Sequence, residues 1–507
     1  MSEQPVGTFC LVLHSHLPWL AHHGAWPVGE EWLHQAWATS YVPVLDVLRK
    51  LGDEGRTDLV TLGVTPVLAA QLDDPYCLTE QHTWLGGWLA RTEGAVAEHT
   101  PPSVAAYEGG LATTAITAFE QRYAHGVSPA LRGLVAGNVV ELLSGPAAHP
   151  FMPLTDERIA RAELRTGLDD TQRRIGRRPA GIWTPECALR PGLEDLYASE
   201  GVQRLVIDGP ALHGVTHEAV TLGTTDVVAF PRDLEVTYRV WSPRAGYPGN
   251  KWYRDFHTYD HPSGLRPARV TSHHSSPEEK KPYEPDAARA QVERDARDFV
   301  ETVRHRLAER EAPSLVVAAY DTELLGHWWH EGPLWLDRVL RLLPEAGVRV
   351  TTLSGAVEAG HIGRRIDEVP HTSWGAGKDW HIWNSEKVSD IVDSNSEVAR
   401  RLLQAIDKSE HASSDKTTSG VQDPVLDALA REAYLALASD WAFLVSHEGA
   451  VQYARDRVHE HAAKVHALAD AIESRDVTRA QRLAAAATDR PWGHLDARLL
   501  AKAAPIL

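Results

Sequence analysis

An apolar run from Val316 to Ala319 that passes through Tyr320 into Asp321, and then into Gly326-His327-Trp328-Trp329, is the strongest constraint in this chain. Fully buried parallel strands have this near-continuous apolar character, and in α/β barrels the chemistry sits where such strands end. Gly181-Ile182-Trp183-Thr184-Pro185-Glu186 repeats the form, with a short apolar run, a tryptophan and then a carboxylate. Two acids, each delivered by a strand end beside indole rings, suggest a sugar-processing enzyme.

The rest of the chain supports a parallel α/β architecture, a barrel or part of one. Strands are expected at Phe9–Leu13, Leu59–Val64, within Val135–Leu143, and at 181–183, 204–208 and Val348–Leu353. Helices are expected over Glu30–Lys50, bent near Pro43, and over 110–125, Thr155–Ile175 and 286–308. Pro66 suits the first position of a helix, and Asp156 and Glu157 suit the positive end of another. The pattern lapses over 210–285, which holds many prolines, Pro231 and Pro267 among them, and reads as an insertion or loop system beside the site. From about 396 the composition changes to Ala- and Leu-rich helical segments, interrupted by a polar stretch at 408–422. The expected layout is a catalytic domain over 1–395 and a helical domain over 396–507.

With a formal charge of −18, nucleic acid and anionic membranes are poor partners, whereas a neutral polysaccharide is not repelled. Three scattered cysteines form no disulfide framework, no membrane-spanning run is present and the N-terminus lacks a signal-peptide pattern, so a cytoplasmic protein is expected. The 17 Trp against 7 Phe point the same way as the acids, because indole offers a broad face to the C–H faces of pyranose rings.

Glu186 and Asp321 are the candidate catalytic pair. Retaining glycoside cleavage uses two carboxyl groups about 5–5.5 Å apart, one attacking the anomeric carbon while the other protonates the leaving oxygen. Only a fold that gathers strand ends could make partners of two residues so distant in sequence. His14 and His16, two apart after the first strand, invite a rival reading as metal ligands, completed by His149, Asp321 and Glu323. The histidines equally suit a sugar subsite, since imidazole both donates and accepts hydrogen bonds.

The blocks HSHLPW, GNVVELLSGPAAHPF, GIWTPECAL followed by PGLE, YDTELLGHWWHEGP and TSWGAGKDWHIW resemble, in order and spacing, glycoside hydrolase family 57, and within it the 1,4-α-glucan branching type. The segments around Trp26, Trp241 with Gly246-Tyr247-Pro248-Gly249, and Ser439-Asp440-Trp441 extend the likeness over nearly the whole chain. The resemblance implies a distorted (β/α)7 barrel with an inserted subdomain and a C-terminal helical domain. It implies Glu186 as nucleophile and Asp321 as general acid/base. It puts His14, His16, Glu141, His149 and Trp183 at substrate positions, Trp26, Trp374, Asp440 and Trp441 along the cleft, and Tyr247 in a loop that positions the acceptor. It implies an α-glucan partner and no metal or organic cofactor, and leaves oligomeric state open. The same acids would also serve a retaining α-amylase or 4-α-glucanotransferase. Ser385-Glu386-Lys387 follows Trp383-Asn384 where branching relatives often carry further tryptophans, which bears on transfer efficiency.

Overall fold

The computed structural model describes residues 5–95, 100–242, 245–260, 263–272, 274–310, 314–412 and 422–502. Ten strands form one sheet: β1 (Gly7–Ser15), β2 (Val60–Val64), β3 (Val140–Ser144), β4 (Gly181–Ile182), β5 (Arg204–Asp208), β6 (Ala219–Leu222), β7 (Val228–Arg232), β8 (Leu315–Asp321), β9 (Val348–Val350) and β10 (Ile362–Ile366). Their order is β10-β6-β7-β5-β4-β3-β2-β1-β8, with β9 also paired to β1. Every pairing is parallel except β6 with β7. The sheet curls into part of a barrel, and many helices cover it. Beyond β8, Leu315 N–H donates to His217 O (3.1 Å) and Asp233 N–H to Val317 O (2.7 Å), tying that strand to the flanks of β6 and β7.

β1 and β8 are buried along nearly their whole length, as their unbroken apolar runs require, and they pair from Thr8↔Leu315 to His14↔Asp321. This register sets His14 and Asp321 side by side at the carboxyl end of the sheet.

Several expected elements differ in detail for identifiable reasons. The helix near Pro43 is divided one turn earlier, into Glu30–Ala36 and Val42–Asp53 joined by a π-turn at Trp37–Tyr41, and Pro43 sits in a first turn where its missing N–H is harmless. The strand at Val348 stops at Val350, because Thr352 caps a helix from Leu353 by accepting from Gly355 N–H (3.2 Å). The 210–285 region carries regular structure: β6, β7 and a helix at Leu234–Trp241. Pro231 disguises β7, yet β6 pairs only with Val228 and Ala229, so no ladder bond on that side needs the missing N–H. In the helix Pro285–Ala308 the anticipated face of Val292, Ala296, Phe299, Val303 and Leu307 is fully buried. In the polar 408–422 stretch, residues 413–421 lie outside the described residues; beyond it Asp423 caps the helix Pro424–Ala436. Among the described residues no helix is long and apolar enough to cross a membrane.

Candidate active site

The carboxyl ends of β1, β4, β7 and β8 open into one cavity of about 600 Å³, lined by residues that include His14, His16, His149, Glu186, Arg232, Asp321, Glu323, Trp374 and Asp440. Glu186 follows β4 in a short turn and adopts a left-handed backbone (φ 60°), as does Cys187 (φ 50°). Non-glycine residues pay about 1–3 kcal/mol for such geometry, and it persists where surroundings over-determine it. Here Thr184 Oγ1 donates to Ala188 O (3.1 Å), and Trp374 N–H donates to Glu186 O (2.8 Å).

Both oxygens of Glu186 are held. Ser439 Oγ donates to Oε1 (2.7 Å) and Trp374 Nε1 to Oε2 (2.8 Å). Burial nevertheless pushes this carboxyl up to about 7, against the two donors that favour its charge. Asp321 is raised to about 6 by burial, opposed by Arg232 and then His16. The Arg232 guanidinium is itself buried, bonded through Nε to Asp208 (2.6 Å) and lying 5.2 Å over the Trp374 ring. Glu323, two residues on, is pushed up to about 8 by burial and by Asp321, although Tyr41 Oη and His16 N–H (3.0 Å) both donate to its Oε1.

The three histidines form a stack. His16 and His149 ring centroids are 3.9 Å apart, and His14 lies 4.3 Å over Trp183, nearly parallel to it at 12°. Ser439 gives its proton to Glu186, so it accepts from His149 Nδ1 at 3.1 Å. That leaves His149 Nε2 unprotonated, buried and without a hydrogen-bond partner among the described residues. Burial, with repulsion from His16, keeps His14 and His149 neutral, their values well below the usual range. Burial works against a charge on His16, but Asp440, 3.0 Å from its Nε2, together with Glu186 and Glu323 raises the value.

The rival metal arrangement meets an obstacle in this geometry. His16 has both ring nitrogens engaged, Nδ1 with Thr65 Oγ1 (2.9 Å) and Nε2 with Asp440, and its ring stacks on His149 instead of converging edge-on with it. His16, His149 and Asp440 do bring ligand atoms within 4.8 Å of one another, but as a stacked hydrogen-bonded set.

Four anticipated residues stand elsewhere. Glu141 points into a separate polar cavity of about 280 Å³, where it pairs with Arg204 (2.5 Å) and accepts from Ser354 N–H (2.8 Å). It is only the second residue of β3, and side-chain alternation and strand length put it well short of the carboxyl end. Trp26 is 67% exposed and does not line the cavity. Trp441 is buried in an apolar cluster, its Nε1 donating to Leu435 O (2.9 Å). Tyr247 packs against Trp329 and Trp335, with its hydroxyl on Asp298 (2.6 Å). Trp183 forms the floor under His14. Residues that sequence reasoning passed over include Arg232, Ser439 and Tyr41, together with the rim aromatics Trp328, Phe256 and Phe443. Ser439 stands inside a motif already singled out, Ser439-Asp440-Trp441, and was the signal available.

Residues 10–367 match the family model for glycosyl hydrolase family 57, and residues 396–499 match that for the C-terminal region of 1,4-alpha-glucan branching enzymes. A Mycobacterium tuberculosis protein named as a probable 1,4-alpha-glucan branching enzyme is 50% identical, with 99% of both chains covered. A 1,4-alpha-glucan branching enzyme of Thermococcus kodakarensis is 34% identical over 92% of this chain and 74% of its own. Among solved structures, the Thermococcus branching enzyme in complex with glucose superposes with a TM-score of 0.91 at 30% identity, covering 99% of this chain and 97% of that one. An α-amylase from Thermotoga maritima superposes with a TM-score of 0.83 at 25% identity, covering 98% and 99%.

Proposed function

The chain belongs to glycoside hydrolase family 57, and from that premise we propose that it is a 1,4-α-glucan branching enzyme that works by a retaining, double-displacement mechanism with Glu186 as nucleophile and Asp321 as general acid/base. The observation that carries this reading is the pair itself: two acids from separate strand ends face one cavity, one gripped by two donors and both lifted into the neutral range by burial.

Glu186 attacks C1 of an α-1,4-linked glucan while Asp321 passes its proton to the departing O4, giving a β-glucosyl-enzyme. Asp321, now ionised, takes the proton from the 6-hydroxyl of an acceptor chain, and O6 displaces Glu186 to form an α-1,6 branch. Two inversions return the α configuration. Burial favours the protonated form of Asp321 needed first, and Arg232 with His16 favours the ionised form needed second. The productive state has Glu186 ionised and Asp321 protonated. Burial lifts both carboxyls into the neutral range, so a singly protonated centre can carry its proton on either acid, and only the share with the proton on Asp321 is productive. A glucan hydroxyl donating to Glu186 would raise that share.

His14, His16, His149 and Asp440 supply donors and acceptors for sugar hydroxyls, and Trp374 closes the wall beside Glu186. No step requires a metal or organic cofactor. The proposed layout is a (β/α)7-type barrel within 1–395 and a helical domain over 396–507, supported by the family match that starts at 396. An α-glucan inside the cytoplasm is the proposed substrate, and three buried, unpaired cysteines accord with a reducing compartment. The likeness to the Thermotoga amylase favours one second reading, hydrolysis on the same scaffold.

Wild type and Glu186→Gln are to be incubated with amylose, following α-1,6 linkages by proton NMR and reducing ends together. Branches made by wild type and lost in the variant are expected. Reducing ends without branches would make it a hydrolase, and full activity in the variant would remove Glu186 from the chemistry.

A further inference from the structure

Outside the catalytic cavity, three buried side chains from distant parts of the chain converge. His23 comes from the loop after β1, His461 from the helix Val451–Glu473, and Asp489 from the segment before Pro491. One ligand atom from each lies within 4.8 Å of the others. His23 Nε2 is 3.0 Å from Asp489 Oδ2, while Trp19 Nε1 donates to the other oxygen, Oδ1, at 2.9 Å. His461 Nδ1 faces Glu432 Oε2 at 2.7 Å, so Nδ1 carries the proton and Nε2 a lone pair. That Nε2 is buried and has no hydrogen-bond partner among the described residues.

An imidazole oriented by a carboxylate on one nitrogen, with its other nitrogen unpartnered, is the pattern of a metal ligand with its supporting shell. We propose that His23, His461 and Asp489 bind one first-row divalent ion of the zinc class, which clasps the loop after β1 to the C-terminal helices. Two imidazoles and a carboxylate suit that class, and three protein ligands leave a fourth tetrahedral position to solvent. Glu432 and Trp19 orient the ligands. None of the five residues lines the catalytic cavity, so the ion takes no part in the glycosyl chemistry.

Lys464 is the ion's competitor. Its ammonium lies 3.1 Å from Asp489 Oδ2 and 3.5 Å from Glu432 Oε1, one positive charge against two buried carboxylates. The side chain is 30% exposed and also reaches Glu460 at 3.6 Å, which gives it a place to retreat as the ion enters.

Full-length protein stripped with chelator and titrated with Co²⁺ tests the proposal. One equivalent per chain should develop the visible absorption of a tetrahedral site and be displaced by Zn²⁺. His461→Gln and Asp489→Asn should each lose the signal, and His149→Gln should keep it. Lys464→Met should tighten binding by about tenfold or more, because a positive charge beside the ion is removed. Absence of signal in both wild type and Lys464→Met overturns the proposal and makes Lys464 the cation of this network. A signal that survives His461→Gln also overturns it, since the ion then sits elsewhere. The wild-type titration depends on no variant folding, and circular dichroism separates lost ligands from lost structure.

Discussion

Ser439→Ala separates the electrostatic account of Glu186 from a purely steric one. The substitution deletes the 2.7 Å hydrogen bond to Oε1 and leaves Trp374 as the only side-chain donor described at this carboxylate. A hydrogen bond to a charged group contributes about 1.5–3 kcal/mol, and 1.36 kcal/mol corresponds to one pH unit, so the Glu186 carboxyl should rise by about one to two pH units. The bond favours the ionised form, so its loss favours the proton. Starting from about 7, that moves the last proton lost by the pair to higher pH. It also draws the shared proton further from Asp321 and thins the productive form about ten- to hundredfold. The kcat/KM profile on amylose, taken from about pH 5 to 9, should show two changes at once: a maximum lowered by that factor and an alkaline limb displaced upward. A lowered maximum with an unmoved alkaline limb, in a folded variant, would refute the reasoning.

The wild-type profile of kcat/KM should itself be a narrow bell with limbs near 6 and 7, and a plateau extending well beyond either limb would contradict the burial argument. Glu163 is fully buried and raised to about 8. Its folded-state value lies above its unfolded one, so the native state binds the extra proton and stability is lost as pH rises from the unfolded value through about 8. Glu163→Gln, which can still accept from Ala148 N–H, should therefore unfold at higher temperature than wild type at neutral pH, by up to on the order of 3 kcal/mol, with the gap closing towards pH 4.5. A gap independent of pH would show that packing is responsible. Glu141→Gln should leave kcat/KM on amylose unchanged while costing about 1–3 kcal/mol of stability through its partly buried pair with Arg204. A tenfold loss of activity with unaltered melting would return Glu141 to the substrate site.

Strand-end chemistry was legible in the sequence because it is local. A continuous apolar run followed by an acid can be read without knowing any partner, and His14, Glu186 and Asp321 all stand beside such runs. Residues whose role depends on which way a helix or loop faces were not legible. In Ser439-Asp440-Trp441 three consecutive side chains go to Glu186, to His16 and to an apolar core, and nothing in the triplet distinguishes them. Arg232 ends a strand disguised by Pro231, so its approach to Asp321 depends on a pairing the sequence pattern argues against. Tyr41 meets Glu323 from a π-turn, where the extra residue shifts the helical face that periodicity would assign.

β1 is engaged along both edges, by β8 over its whole length on one side and by β9 and β2 on the other. During synthesis the β8 strand that sets Asp321 beside His14 emerges about 300 residues after β1. At about 5–20 residues per second that is a wait of roughly 15–60 s. For that time an apolar strand lies unmatched along one edge, and no catalytic neighbourhood exists. A nascent chain cut short before residue 321 therefore carries Glu186 but lacks Asp321. The facing of Glu186 and Asp321 across one cavity therefore waits on the pairing of β1 with β8.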